Sequence, residues 1–127
     1  MSEFLCVREL KNETSDNRDI VTVSIGKPER RNEGEFLCPF QVVGLENSDL
    51  QYAYGVDCFQ ALIMALEGIR AILEKSGKSL TWIGGQKGDH GFPGFVPSFY
   101  GLDFSRHLHG VIANEIKRFT EKAQRRS

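Results

Sequence analysis

The chain has 127 residues, of which 40% are apolar and 26% charged, and this composition indicates a globular domain spanning 1–127 rather than a disordered chain. Sixteen basic residues against seventeen acidic ones give a net charge of −1, so no general affinity for nucleic acid is expected. No apolar run reaches the roughly eighteen residues of a membrane span, and no signal-peptide pattern follows the N-terminus, so we predict a cytoplasmic protein without membrane contact.

The first half of the chain predicts four β-strands. A short mixed run over 4–10 is followed by strict alternation over Ile20–Ile25, which is typical of a strand with one buried face. Alternation resumes over 35–45 and again over 52–56, with polar turns between. The charged stretch before Gly34 is predicted to be a turn. Pro39 lacks an amide donor, which indicates an edge strand or a bulge.

After residue 57 the spacing of the apolar residues changes from every second residue to every third or fourth, which predicts an amphipathic helix. Asp57 and Gln60 have the spacing of a capping box, in which Asp57 accepts from the Gln60 amide and the Gln60 side chain reaches back to the cap amide. Apolar residues recur from Phe59 to Leu73. Gly77 is predicted to end the helix in the left-handed conformation.

A short strand at 80–83 and a final helix over 103–125 complete the order β-β-β-β-α-β-α. Consecutive strands with short turns favour an antiparallel meander of four to five strands. Two helices, each with one apolar stripe, would cover one face of the sheet in a two-layer α+β sandwich. An alternative inserts the strand at Leu80 between earlier strands.

The three cysteines, Cys6, Cys38 and Cys58, are odd in number and show no C-x-x-C spacing. They are predicted to be free, buried thiols in a reducing compartment.

One segment, 84–101, is unusually rich in Gly and aromatic residues. It contains six glycines, two prolines, four aromatic residues and the pair Asp89-His90. Loops of this length are uncommon in compact domains and are often functional. The P-loop pattern is not met, because Lys87 is followed by Gly88 and no helix starts there.

Two interpretations of this segment stay open. Phe92, Phe95 and Tyr100 suit an interaction surface if exposed, or fold back to close the end of the core. Asp89 and His90 suit acid–base or metal chemistry, which needs further converging groups that the spacing does not supply. We therefore predict no cofactor, no metal and no catalytic residue, and take Asp89, His90, Phe92, Phe95 and Tyr100 as candidate binding residues.

Five stretches of the chain carry a family resemblance: VTVSIGKPE, FLCPFQVVGL, YAYGVDCFQALIMALEGIR, LTWIGGQKGDHGFPGFVP and FYGLDFSRHLHGVIANEI. YGVDCFQAL and GFP are its most specific parts. The chain resembles a family of small bacterial proteins built on a domain of unknown function. The resemblance implies a single bacterial domain and assigns no functional residue.

Together these observations favour a non-enzymatic protein-binding module that uses the 84–101 loop, with the open face of the sheet as a secondary contact surface. The alternative is a small enzyme, or a metabolite or metal binder, with a pocket that joins Asp89, His90 and Tyr52 or Tyr54. An uncovered sheet face or edge would also favour a homodimer.

Overall fold

A computed structural model of the chain describes residues 3–14, 19–94 and 101–125. The chain divides into two compact units, Met1–Gly94 and Phe95–Ser127, and each is described by itself. Phe95 and Tyr100, two of the predicted binding residues, lie outside the described residues. The single domain over 1–127 stays a prediction.

The first unit is an antiparallel sheet with one helix, and the chain as a whole is α+β, as predicted. The described residues contain six strands, one more than the upper limit of the prediction. They are β1 (Cys6–Asn12), β2 (Ile20–Ile25), β3 (Glu29–Asn32), β4 (Glu35–Val43), β5 (Gln51–Gly55) and β6 (Leu80–Thr81). The helices are α1 (Cys58–Lys75) and α2 (Leu102–Arg125).

The strands are ordered β3-β4-β2-β1-β6, and β5 also pairs with β4. β6 pairs with β1 at the end of this order, so it is not inserted between earlier strands. The extra strand, β3, lies where the sequence predicted a turn. Its residues are charged or polar throughout, so they show no alternation, and it is a strand because it pairs with β4.

Pro39 lies inside β4, which pairs with strands on both of its edges, so the predicted edge position is wrong. Its carbonyl accepts a hydrogen bond from the Gly26 amide at 2.8 Å, so its backbone faces the edge of β4 that β2 and β3 share. Along this edge β3 pairs with residues 35–37 and β2 with residues 40–43, which leaves a gap at Pro39. The missing amide donor falls at this gap between two strands. The one bond that proline cannot make here is the reciprocal bond to the Gly26 carbonyl, which lies beyond the end of β2 and accepts from the Cys38 thiol at 3.5 Å instead.

α1 begins and ends as the sequence predicts, with one difference. The Asp57 carboxylate accepts from the Gln60 amide at 2.7 Å. The Gln60 side chain accepts from the Val56 amide at 2.7 Å, one residue earlier than the cap amide predicted. Ser76 caps the C-terminus and Gly77 follows with φ of 69°.

The hydrophobic core lies between α1 and one face of the sheet. Ala61, Ala65, Ile69 and Leu73 repeat every four residues along α1 and are fully buried. They pack with alternate residues of the strands: Leu10, Val21, Val23, Ile25, Cys38, Phe40, Val42, Ala53 and Leu80. The opposite face of the sheet is not covered by α1, and we call it the open face.

Of the three free cysteines, only Cys38 is buried. The prediction of burial is wrong for Cys6 and Cys58, which are exposed. Cys6 is the first residue of β1 and Cys58 the first of α1, so both lie at the edge of the hydrophobic core. Burial raises the pKa of the Cys38 thiol to about 11, with a smaller contribution from the charge of Cys58.

In the second unit, α2 runs over 24 residues with Asp103 in its first turn, where a carboxylate suits the helix dipole. That α2 covers the same face of the sheet as α1 stays a prediction. No helix among residues 3–14, 19–94 and 101–125 is long and apolar enough to cross a membrane.

Candidate functional site

The described part of the Gly-rich loop, 84–94, begins with a closed turn. The Trp82 amide donates to the Asp89 carbonyl at 3.0 Å, and the Asp89 amide donates to the Gln86 carbonyl at 2.9 Å. The Gly88 amide donates to the Thr81 hydroxyl at 2.8 Å. These bonds fix residues 82–89 as one turn, and the chain that follows it lies beside Arg8 of β1.

Asp89 takes part in this turn. One carboxylate oxygen accepts a hydrogen bond from the Gly91 amide at 2.8 Å, the pattern of an Asx turn. Gly91 has φ of 78°, and a Cβ there would lie 2.6 Å from the Arg8 guanidinium, so this position requires glycine. The Asp89 side chain therefore has a structural role in shaping the loop.

His90 is half-buried, and its two ring nitrogens differ in their surroundings. Nδ1 accepts from the Phe92 amide at 3.0 Å, so in the neutral ring the proton is carried by Nε2. Nε2 lies 3.7 Å from a carboxylate oxygen of Glu74 on α1, and the two form an ion pair only when His90 is protonated.

Glu74 belongs to a short charged row on α1. Arg70 donates to Glu67 at 2.9 Å and to Glu74 at 2.8 Å. These contacts raise the pKa of Arg70 further above its ordinary value, first through the hydrogen bond to Glu67 and then through that residue's charge. The row lies beside the loop at His90, and the two are joined by an ion pair only when His90 is protonated.

Phe92 completes an aromatic clamp on Arg8 of β1. The guanidinium carbon of Arg8 lies 4.9 Å from the ring centre of Trp82 and 4.9 Å from that of Phe92. Arg8 also donates to the His90 carbonyl at 3.4 Å. Phe92 packs against the hydrophobic core, and its ring centre lies 5.9 Å from that of His90.

The structure thus brings together three of the predicted binding residues, Asp89, His90 and Phe92, within the stretch 82–92, which we call the folded turn. The predicted pocket also required Tyr52 or Tyr54. Those tyrosines alternate with Ala53, which is buried beneath α1, so their side chains lie on the open face, away from His90. Among residues 3–14, 19–94 and 101–125, no group of three or more His, Cys, Asp or Glu is placed to hold a metal.

The open face carries apolar side chains that sequence reasoning mostly missed. Five large ones have exposed fractions of 43% to 59%: Val7, Ile20, Val43, Tyr52 and Tyr54. They come from β1, β2, β4 and β5. Only the shared face of Tyr52 and Tyr54 was visible in the sequence. For Val7, Ile20 and Val43 the signal was a pair of adjacent apolar residues in one strand, such as Val42 and Val43. The side chains of two adjacent strand residues point to opposite faces of the sheet.

A groove of about 530 Å³ lies at the β3 end of the open face. Leu37, Pro39 and Tyr52 supply its apolar and aromatic surface. Its charged lining comprises three cations and two carboxylates: Lys27, Arg30, Arg31, Glu3 and Glu29. This end of the open face is therefore an apolar surface with a mildly cationic rim.

Comparison with known proteins identifies the family of this chain. The family described as a domain of unknown function, DUF6968, matches residues 6–94. The chain belongs to this family. The match confirms the predicted resemblance to a domain of unknown function over these residues. No curated protein and no solved structure matches the chain.

The DUF6968 match contains all six strands, α1 and the folded turn. Arg8, Trp82 and Phe92 all lie within it, and so do the five apolar side chains of the open face. It ends at residue 94, which is also the last residue of the first compact unit. The DUF6968 domain therefore contains both candidate surfaces, the folded turn and the open face.

Proposed function

We propose that this DUF6968 protein is a non-enzymatic protein-binding module that receives its partner on the open face. The observation that carries the proposal is the exposure of Val7, Ile20, Val43, Tyr52 and Tyr54 on one face of the sheet. The tyrosines lie opposite Pro39 and Leu37 of β4 and form a continuous apolar area with them, and exposed apolar patches rimmed by polar residues typically mark interaction sites. Tyrosine is also enriched at the centre of protein interfaces.

The charges around this face indicate the chemistry of the partner. Lys27, Arg30 and Arg31 outnumber the two carboxylates in the groove beside Tyr52. A partner with an apolar contact surface and acidic residues at one margin would complement both features. Such rim charges contribute mainly to association rate and orientation.

The Gly-rich loop has a supporting role in this proposal. Asp89 and His90 accept backbone hydrogen bonds within the loop, and Phe92 packs on Arg8 and the core. Ile83 is fully exposed at the start of the loop and lines a groove of about 340 Å³ with Ile20 of the open face. The loop thus adds one apolar contact to the open face, and Phe95 and Tyr100 stay predicted contact residues.

We infer a reducing, cytoplasmic setting for the module, in a bacterial cell. Two of its cysteines, Cys6 and Cys58, are exposed and free. Exposed free thiols suit a compartment in which thiols are kept reduced.

The test is capture of a partner from the lysate of the native host, using charge substitutions on the two sides of the domain. Val7→Glu/Val43→Glu places two carboxylates on the open face. Phe59→Glu/Met64→Glu makes the same change at exposed apolar positions of α1 and is the matched control. Thermal unfolding must first show that both variants are folded.

A protein retained by wild type and by the α1 variant, and lost with the open-face variant, would support the proposal. Equal loss with both variants, or retention by both, would contradict it. In either of those cases the open face is not the binding surface.

A further inference from the structure

We propose that β5 pairs with β5 of a second copy of this chain, in antiparallel register about a two-fold axis at Ala53. This inference goes beyond the proposed function, because it uses the edge of the sheet and not its open face. It starts from the direction of the backbone groups along β5.

The Gly26–Pro39 hydrogen bond shows that Pro39 turns its backbone toward β2 and β3. Successive residues of a strand direct their backbone groups to alternate edges, so Cys38 and Phe40 turn theirs toward β5. Their partners across the β4–β5 ladder are Ala53 and Gln51.

Tyr52 and Tyr54 therefore direct their amide and carbonyl groups away from β4, along the outer edge of β5. No described residue outside β5 is hydrogen-bonded to these four groups. Unpaired edge groups of this kind are a template for another strand.

The other free edges of the sheet, along β3, β6 and the part of β1 that β6 does not reach, carry protection that β5 lacks. β3 is charged, and its register shifts between Arg30 and Asn32, the mark of a bulge. β6 has only two residues, and the part of β1 that it leaves unpaired, 6–10, contains the charged residues Arg8 and Glu9. Charge, bulges and short length are the usual devices that prevent edge-to-edge pairing. β5 reads Gln-Tyr-Ala-Tyr-Gly, with no charge, no proline and no register shift.

The sequence of β5 is also self-complementary. With Ala53 on the two-fold axis, Tyr52 lies opposite Tyr54 of the second copy, and Tyr54 lies opposite its Tyr52. In an antiparallel ladder each such pair exchanges two backbone hydrogen bonds. The outward groups of both copies are then all paired, and the tyrosine rings meet on the open face as cross-strand neighbours.

The small size of Ala53 suits this axis, because directly opposed residues between hydrogen-bonded pairs approach most closely. The second copy is therefore an occupant that satisfies the free backbone groups and the two-fold symmetry together. The open faces of both copies would join into one surface.

The first experiment measures the dimer dissociation constant of the full chain by light scattering or sedimentation. Tyr54→Pro removes the outward amide of residue 54 without removing a bond to β4. Tyr54→Val removes the same ring but keeps the amide, and it is the matched control. Two symmetry-related hydrogen bonds are lost in the proline variant, so its dissociation constant should rise about thirty-fold, with only a few-fold rise for valine.

A wild-type protein that stays monomeric up to high micromolar concentration would overturn the inference. A dimer weakened equally by Tyr54→Pro and Tyr54→Val would overturn it as well. Neither result bears on capture of a different protein by the open face, so the two proposals fail separately.

A second experiment tests the register even if the proline variant does not fold. Tyr52→Cys and Tyr54→Cys are made separately in a Cys6→Ser/Cys58→Ser background and mixed under mild oxidation. Directly opposed Cα atoms about 5.5 Å apart can be bridged by a disulfide, whereas diagonal ones more than about 7 Å apart cannot. Covalent dimer in the mixture and not in either variant alone supports the register, and its absence from the mixture overturns it.

Discussion

Truncation of Phe92 tests whether the Gly-rich loop is held by packing or presents its ring to a partner. The ring is half-buried against the core and forms one side of the clamp on Arg8. Replacing a fully buried Phe by Ala costs about 3–5 kcal/mol, and a half-buried one about 2 kcal/mol. Loss of a partly exposed cation–π contact adds about 0.5–1 kcal/mol.

We expect Phe92→Ala to lower the free energy of unfolding by about 2.5–3 kcal/mol. For a domain of this size that corresponds to a fall in Tm of roughly 10 °C. Urea unfolding and thermal melts followed by circular dichroism measure both quantities. Ile83→Ala, at a fully exposed position of the same loop, is the control and should change stability by less than about 0.5 kcal/mol.

A double-mutant cycle isolates the clamp. Arg8→Met keeps much of the apolar stem and removes the cation, and its coupling to Phe92→Ala should be about 0.5–1 kcal/mol. If Phe92→Ala is no more destabilising than Ile83→Ala, the ring is not packed as described. The exposed interpretation of the loop would then be correct.

Four further predictions concern Asp57, Gly55 and Cys38. Asp57→Ala should cost about 1 kcal/mol in chemical unfolding, because the Gln60 amide loses its acceptor, and an unchanged midpoint would show that the cap is not formed. Gly55→Ala should cost about 1–3 kcal/mol because its Cβ would collide with the Ala61 amide, whereas Gly110→Ala, with open space, should not destabilise. Cys38 should resist thiol reagents in the native state while Cys6 and Cys58 react, and a third fast thiol would contradict its burial. Since unfolding returns the Cys38 pKa from about 11 to its ordinary 9.0, the unfolded chain loses this proton first, and stability should fall as pH rises from about 9 toward 11.

Most of the fold could be predicted because its elements have strong periodicity. Val21, Val23 and Ile25 alternate along β2, and the buried residues of α1 recur every four positions. Local signals at Asp57 and Gly77 placed the ends of α1. These features depend on neighbours in sequence, which is why they could be found without the structure.

The features that were missed depend on contacts between distant parts of the chain. β3 has no apolar alternation and exists through its pairing with β4. Pro39 is tolerated inside the sheet because two strands pair with successive parts of β4 and leave a gap at that residue. Neither the pairing of β3 nor the gap at Pro39 can be predicted from the composition of the chain or from the spacing of its apolar residues.

The candidate site divides in the same way. The glycine content of 84–94 indicated a loop, and the structure has neither helix nor strand there. The binding role of Asp89 stays a prediction. The packing of Phe92 against the core agrees with one of the two interpretations of the loop. Its contact with Arg8 could not be found, since Arg8 is more than eighty residues away along the chain. The open face could be predicted only in part. Val7 and Val43 each directly follow another apolar residue, so alternation does not tell which residue of the pair is buried.

The central claim is that the open face binds another protein, and photo-cross-linking in the native host tests it most directly. A photoreactive amino acid at Val7 lies on the open face, and the same amino acid at Met64 lies exposed on α1. We predict a discrete heavier adduct from position 7 that is lost when Val43→Glu is added, and none from position 64. No adduct from position 7, or the same adduct from both positions, would contradict the account.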